Sequence, residues 1–289
     1  MPVYPLTLLD VFAIRPLEGN LLAVIHDADD IATGTMQTLA RRFNLAETSF
    51  IQPASDAGAT YRHRIFTVSD ELPFAGHPSI GTAVAWAYRT RETNAHYVQQ
   101  TASGFQELWV ERDDRHAIAK LRQNPVVFGD KVDSAPILNA MGLNASDGHA
   151  SLPAQIASTG LPTTIVPLRD PAALKRISVD WSAFRAALGD GNDARTAHNC
   201  YFVAEVAPGH WAARMFAADI PGGEDAATGS AAGPFGAYLQ DRLGLNAVSI
   251  DQGVEMGSPS RLEVDLTEGI VLSGSVWLIS TGDIDLPNE

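Results

Sequence analysis

Two Gly-rich stretches have the residue types of a loop that holds a small anion. One, Phe74-Ala-Gly-His-Pro-Ser-Ile-Gly81, leads into a run of small and apolar residues of helical length, and Glu224-Asp-Ala-Ala-Thr-Gly-Ser-Ala-Ala-Gly233 does the same. A helix start presents N–H groups without intrahelical acceptors, and with them a positive potential. Small residues let a ligand approach the backbone closely. Two such starts facing each other would grip a small carboxylate with no lysine or arginine needed, and Ser79 and Thr228 stand in them as candidate substrate-binding residues. The plainer alternative is a pair of helix caps in tight packing. The occurrence of one stretch in each half of the chain favours function. Each stretch also carries a group that can move a proton. His77 can donate, accept or shuttle one, and its place near a helix start disfavours the charged form. Asp225 can serve as an acid or base, cap its helix, or do both. Glu47 is the third candidate, set between Leu45-Ala46 and Thr48-Ser49-Phe50-Ile51. A carboxyl partly withdrawn from water there would work as an acid or base near neutral pH. The alternative is a solvated glutamate at a helix end.

Other chemistries lack their signatures. There is no G-x-x-x-x-G-K-[ST], no G-x-G-x-x-G after a strand and no G-x-S-x-G elbow. The eight histidines show no H-E-x-x-H, and the single cysteine, Cys200, rules out C-x-x-C. No metal and no cofactor is expected. Cys200 lies in the apolar run NCYFVA and reads as a buried small hydrophobe. The formal charge of −14 should repel nucleic acid and anionic membrane surfaces. No apolar run has the length of a membrane span, the N-terminal segment reads as a strand rather than a leader, and a single cysteine suits the reducing cytoplasm.

The elements that must position these residues follow from periodicity. Alternation predicts strands at 4–13, 21–25, 48–52 and 62–68, and then at 97–100, 107–110 and 117–121. A helix over 32–43 should stop at Asn44. The segment 76–87 is apolar nearly all round, as a buried helix is. Composition shifts over 124–135, where the chain should pass between domains: 1–123, and 124–277, with a tail at 278–289 that packs on the first. In the second half, strands are expected at 162–168, 199–206, 212–216, 248–252, 261–266 and 270–279, with helices at 181–188 and 229–239. Gly189–Asn192 reads as a polar turn without the acidic spacing of a calcium loop. The halves repeat. Phe66–Tyr88 overlays Phe216–Tyr238 without a gap, and Gln100–Val110 overlays Gln252–Val264 with a small insertion.

The segments VFAIRPLEGNLLAV, NLAETSFI, FTVSDELPFAGHPSIGTA, MFAADIPGGEDAATGSAAG and QGVEMGSPSRLEV together resemble the PhzF (phenazine biosynthesis-like) family, relatives of diaminopimelate epimerase. The resemblance implies an α+β fold of two pseudo-symmetric halves, each an antiparallel, barrel-like sheet wrapped around a central helix, with the active site in the cleft between them. It also implies a homodimer and a cofactor-independent isomerase that shifts a proton on a small carboxylate. By the same resemblance Glu47 is the acid/base, His77 and Asp225 are further polar active-site groups, and Gly76, Gly229 and Ser230 bind substrate. The epimerase relatives use two cysteines where Ala75 and Thr228 stand here, so a two-thiol racemase is excluded. A different class also fits the scaffold: a protein that holds a small acid without chemistry. Only the isomerase requires the polar set.

Overall fold

The computed structural model describes residues 1–188, 197–218 and 220–286. The expected turn at Gly189–Asn192 lies outside them. The fold is mixed α+β. In chain order its strands and helices begin β1 (Val3–Val11), β2 (Asn20–Ile25), α1 (Thr33–Phe43), β3 (Thr48–Gln52), β4 (Tyr61–Phe66), β5 (Glu71–Leu72), α2 (Gly76–Thr90), β6 (Asn94–Thr101), β7 (Gly104–Arg112) and β8 (His116–Arg122). They continue with β9 (Val127–Lys131), α3 (Ser134–Ala140), β10 (Gln155–Ser158), β11 (Pro162–Pro167), α4 (Pro171–Lys175), α5 (Trp181–Leu188), β12 (Asn199–Ala207) and β13 (His210–Ala217). The chain ends with β14 (Glu224–Asp225), α6 (Gly229–Leu243), β15 (Ala247–Gln252), β16 (Ser260–Asp265) and β17 (Val271–Asp285). No described helix is long and apolar enough to cross a membrane. Two compact units result, Met1–Arg122 with Ser273–Glu289, and Gln123–Leu272. The chain thus returns to the first unit at Ser273, ahead of the expected 278, and the shifted composition of 124–135 belongs to the second unit, where it forms β9.

In the first unit the strand order β1-β2-β3-β4-β6-β7-β8-β17 closes on itself, because β17 pairs with both β8 and β1. The joints β2/β3 and β4/β6 are parallel. A parallel joint needs a crossover, usually a helix, and α1 and α2 are those crossovers. The α1 crossover buries only Met36, Leu39 and Ala40, and stops at Asn44, whose left-handed backbone (φ 53°) returns its N–H to Ala40 O. The α2 crossover is different. It packs against β1, β2, β3, β4, β7 and β8, and every residue from Gly76 to Ala85 is buried. Strands close on it from several sides, so only small side chains fit at the nearest approach. A Cβ at Gly81 would meet Leu22 at 2.5 Å and Val11 at 2.8 Å.

The second unit repeats the plan in the order β9-β10-β11-β12-β13-β15-β16, with parallel joints at β11/β12 and β13/β15. Its crossover α6 is buried from Gly229 through Leu239, and a Cβ at Gly236 would meet Val264 at 2.7 Å. A side-chain device recurs as well. Arg64 forks onto Glu71 with two bonds of 2.7 Å, and Arg214 onto Glu224 at 2.7 and 2.8 Å. Each guanidinium lies over a phenylalanine, Phe66 or Phe216. The overlay of the two segments is not gapless, however. Glu71 pairs with Phe66 and Glu224 with Phe216, so the second unit holds three extra residues ahead of β14. They are accommodated by the turn Pro221–Gly223, where Gly222 and Gly223 have φ of 73° and 78°. Gly76 therefore matches Gly229, and Ala75 matches Thr228. The short elements β9, α3, β10 and α4 were not expected from periodicity; α3 and α4 are 7 and 5 residues long, too short for a helical repeat to register.

Two predictions follow from these interiors. Gly233 lies within α6, where alanine ordinarily stabilises by up to about 1 kcal/mol. Here a Cβ would land on the Gln123 carboxamide, which is buried and held by Thr159. Gly233→Ala should therefore lower stability by about 1–3 kcal/mol, read as a lower denaturant midpoint. The second concerns acid. Burial depresses the pKa of His26 to about 4, and of His63 and His77 to about 3. Each is neutral when folded and binds its proton more readily when unfolded, so its contribution is complete above about pH 6.5 and is lost as pH falls toward the folded value. Together they should give a slope of about 4 kcal/mol per pH unit near pH 5. His26→Gln should remove about a third of that slope in urea unfolding measured from pH 6.5 to 4.5.

Candidate functional site

The first unit brings Glu47 and His77 together. Glu47 is the last residue before β3, and His77 is the second residue of α2. The His77 Nδ1 is 3.2 Å from Glu47 Oε2, with side-chain exposures of 3% and 14%. Asn20, first residue of β2, places its Nδ2 3.4 Å from the same Nδ1. A carboxylate at this distance favours an imidazolium, but complete burial of the ring opposes charge on it, and nearby His63 adds to the opposition. The ring is therefore neutral, with one donor and one acceptor nitrogen. The Asn20 amide nitrogen can only donate, so Nδ1 accepts and the proton of the ring sits on Nε2. Among the described residues His77 Nε2 has no hydrogen-bond partner. This buried N–H is therefore unsatisfied, at a cost of about 1–3 kcal/mol that a ligand acceptor would relieve.

The remaining first-unit candidates build the helix start. Gly76 and His77 come before the first intrahelical bond, and Pro78 has no N–H, so two backbone donors face outward from the turn. The Ser79 hydroxyl donates back to Ala75 O at 2.7 Å and is fully buried; it secures the turn. Beyond it, Gln106 and Gln99 are hydrogen-bonded to each other inside the barrel.

In the second unit Asp225, Thr228, Gly229 and Ser230 also lie together, all buried. The Thr228 hydroxyl donates to Asp225 Oδ2 at 2.6 Å. Asp225 does not cap α6 by its side chain, and Thr228 occupies the cap position. Gly229 and Ser230 supply the amides that precede the first intrahelical bond, while Gly229 O accepts from Gln123 Nε2 at 2.8 Å. Cys200 is fully buried in β12 among Phe202, Phe216 and Leu174, and burial pushes its thiol above the ordinary range. Among the described residues no three histidine, cysteine or acidic side chains converge as a metal site.

Sequence reasoning did not select Asn20, Gln123 or Gln252. Asn20 and Gln252 lie within the segments VFAIRPLEGNLLAV and QGVEMGSPSRLEV, but only contacts distant in sequence give them and Gln123 a role.

Residues 9–275 match the model of a family described as phenazine biosynthesis-like protein. The trans-2,3-dihydro-3-hydroxyanthranilate isomerase of Pseudomonas aeruginosa is 38% identical over 88% of this chain and 87% of its own length. The structure of a predicted epimerase from Pseudomonas aeruginosa superposes with a TM-score of 0.84 at 33% identity, covering 98% of this chain and all of the other. A hydroxyproline epimerase from Agrobacterium vitis, at 12% identity and a TM-score of 0.65 over 98% of this chain and 91% of its own, shares the fold. By the extent of the family match and the identity of its relatives, this chain belongs to the PhzF-type, phenazine biosynthesis-like family.

Proposed function

We propose that this protein is a cofactor-independent isomerase that moves a proton between carbons of a small cyclic carboxylate, with Glu47 as principal acid/base. The observation that carries the reading is the Glu47–His77 pair at 3.2 Å, whose buried Nε2 lacks a partner among the described residues. Glu47 lifts the proton from a carbon whose carbanion is conjugated with the carboxylate, and returns one to another carbon of the same system. One C–H bond breaks, another forms, and the composition is unchanged. With Nδ1 accepting from Asn20, the ring proton of His77 is on Nε2, where it can bond to the substrate and stabilise the charge that develops on it. The helix-start amides of Gly76, Gly229 and Ser230 hold the carboxylate, Asp225 is the second proton-carrying group, and Ser79 and Thr228 fix the turns that present these donors. The reading includes a homodimer in the cytoplasm.

The relative from Pseudomonas aeruginosa is named for acting on trans-2,3-dihydro-3-hydroxyanthranilate, and that compound is the first substrate to try. Glu47→Gln keeps the shape of the side chain and removes its proton chemistry. Turnover should fall at least about 100-fold with the melting temperature preserved. In deuterium oxide the wild-type product should carry deuterium at its new C–H position. Near-normal turnover by the variant would remove Glu47 from its role. Tight binding of the substrate by wild-type protein, with neither isomerisation nor exchange, would favour the non-catalytic acid binder. Cys200→Ala should retain full activity and native Cys200 should resist alkylation; loss of activity at an unchanged melting temperature would instead bring in a thiol mechanism.

A further inference from the structure

The end of β15 contains a fully buried carboxamide, that of Gln252, which the proposed reaction does not use. All of its hydrogen-bonding directions are occupied. Oε1 accepts from Thr228 N–H at 3.1 Å and from the Tyr201 hydroxyl at 3.0 Å, while Nε2 donates to Asp225 O and to Thr228 Oγ1, both at 2.8 Å. A backbone N–H can only donate and a backbone carbonyl can only accept, so the orientation of the amide is determined. The consequence passes to Thr228. Its oxygen already accepts from Gln252, and its one proton goes to Asp225 Oδ2 at 2.6 Å. The chain of donation therefore runs in a single direction, from Gln252 to Thr228 to Asp225. Next to Gln252, Gly253 has a φ of 76°, and a Cβ there would meet Ala226 O at 2.6 Å. The backbone at 252–253 is thus pressed against the very turn that carries Asp225.

The structure assigns Gln252 as a positioning residue that, through Thr228, makes Oδ2 of Asp225 a fixed hydrogen-bond acceptor. The inference rests on the reading of Asp225 as a proton-carrying group. A carboxyl held at Oδ2 keeps its orientation as it takes or gives a proton. A hydrogen bond donated to the carboxylate also stabilises that form over the acid. Among the described residues the other titratable groups on the elements packed here do not take over this task. Tyr201 on β12 is held un-ionised by its burial. Glu224 is occupied by the Arg214 fork from β13, and Asp251 on β15 by His210 and Arg261.

The test uses full-length protein with 13C-labelled aspartate, the Asp225 carboxyl signal being identified by its loss in Asp225→Asn. Thr228→Val keeps the shape and removes the hydroxyl, and should move the Asp225 titration midpoint up by about one pH unit. Thr228→Ser should restore it. Gln252→Leu frees the Thr228 hydroxyl from its imposed direction and should move the midpoint the same way. In parallel, the limb of the kcat–pH profile on trans-2,3-dihydro-3-hydroxyanthranilate that belongs to Asp225 should shift upward in Thr228→Val and return in Thr228→Ser. A midpoint unchanged in Thr228→Val, or shifted in Thr228→Ser as much as in Thr228→Val, overturns the assignment. If Gln252→Leu does not fold, the Thr228 pair decides. If wild-type protein does not turn over this substrate, the proposed substrate fails while the carboxyl titration still decides the role of Gln252.

Discussion

Each parallel joint in these sheets requires a crossover, and in both units one crossover is drawn through the interior: α2 between β4 and β6, and α6 between β13 and β15. That constraint shapes most of what surrounds it. A helix with strands on several sides cannot carry large side chains along its whole circumference, which is why Gly81 and Gly236 stand where a Cβ would strike a neighbouring strand. Its first turn, with amides that no helix can satisfy internally, is also buried rather than left in water. Such a turn needs polar partners brought from elsewhere in the chain. The interior of each unit is accordingly polar around the helix start and apolar along the helix body.

How those polar needs are met distinguishes the two units. In the first, the cap position is Ala75, which has no side-chain hydrogen-bonding group, and Ser79 reaches back to its carbonyl. The second helical residue is His77, and Glu47 Oε2 lies 3.2 Å from its Nδ1. In the second unit the cap is Thr228, braced by Gln252, with Asp225 receiving the hydroxyl. The first start therefore sets a buried histidine beside a carboxyl, while the second directs its hydrogen bonds one way.

The sequence made the scaffold legible where a pattern was long or chemically restricted. The buried helices showed themselves as small-residue runs behind Gly-rich turns, and Asn44 as a helix stop that tolerates left-handed backbone. Glu47, His77 and Asp225 were visible as titratable groups next to such turns. The closure of the first barrel was not, because β17 finds β1 and β8 across most of the chain length, and no local periodicity encodes that pairing. Asn20, Gln123 and Gln252 were hidden for a related reason. A glutamine becomes informative only when its partners are known, and the nearest side-chain partner of Gln252 is 24 residues away. The repeat itself was legible, but its register was misplaced, since small residues match one another at several offsets.

The true register explains why the two helix starts can differ in chemistry and yet share a backbone. In both units the arginine–glutamate fork comes first, and the helix begins five residues after the glutamate: Glu71 to Gly76, and Glu224 to Gly229. The three extra residues of the second unit fall between the arginine and the glutamate of the fork, where the glycines of the Pro221–Gly223 turn accommodate them and Gly223 fits beneath Trp181. The fork thus acts as a datum. It ties the short β5 or β14 strand to the sheet with a bidentate, half-buried ion pair, and the helix start is measured from it. With the distance set, individual positions in the turn can change without moving the amides. Leu72 in the first unit is matched by Asp225 in the second, Ala75 by Thr228, and His77 by Ser230. The backbone geometry of the helix start belongs to the repeat, whereas the titratable side chains beside it belong to the substitutions made within it.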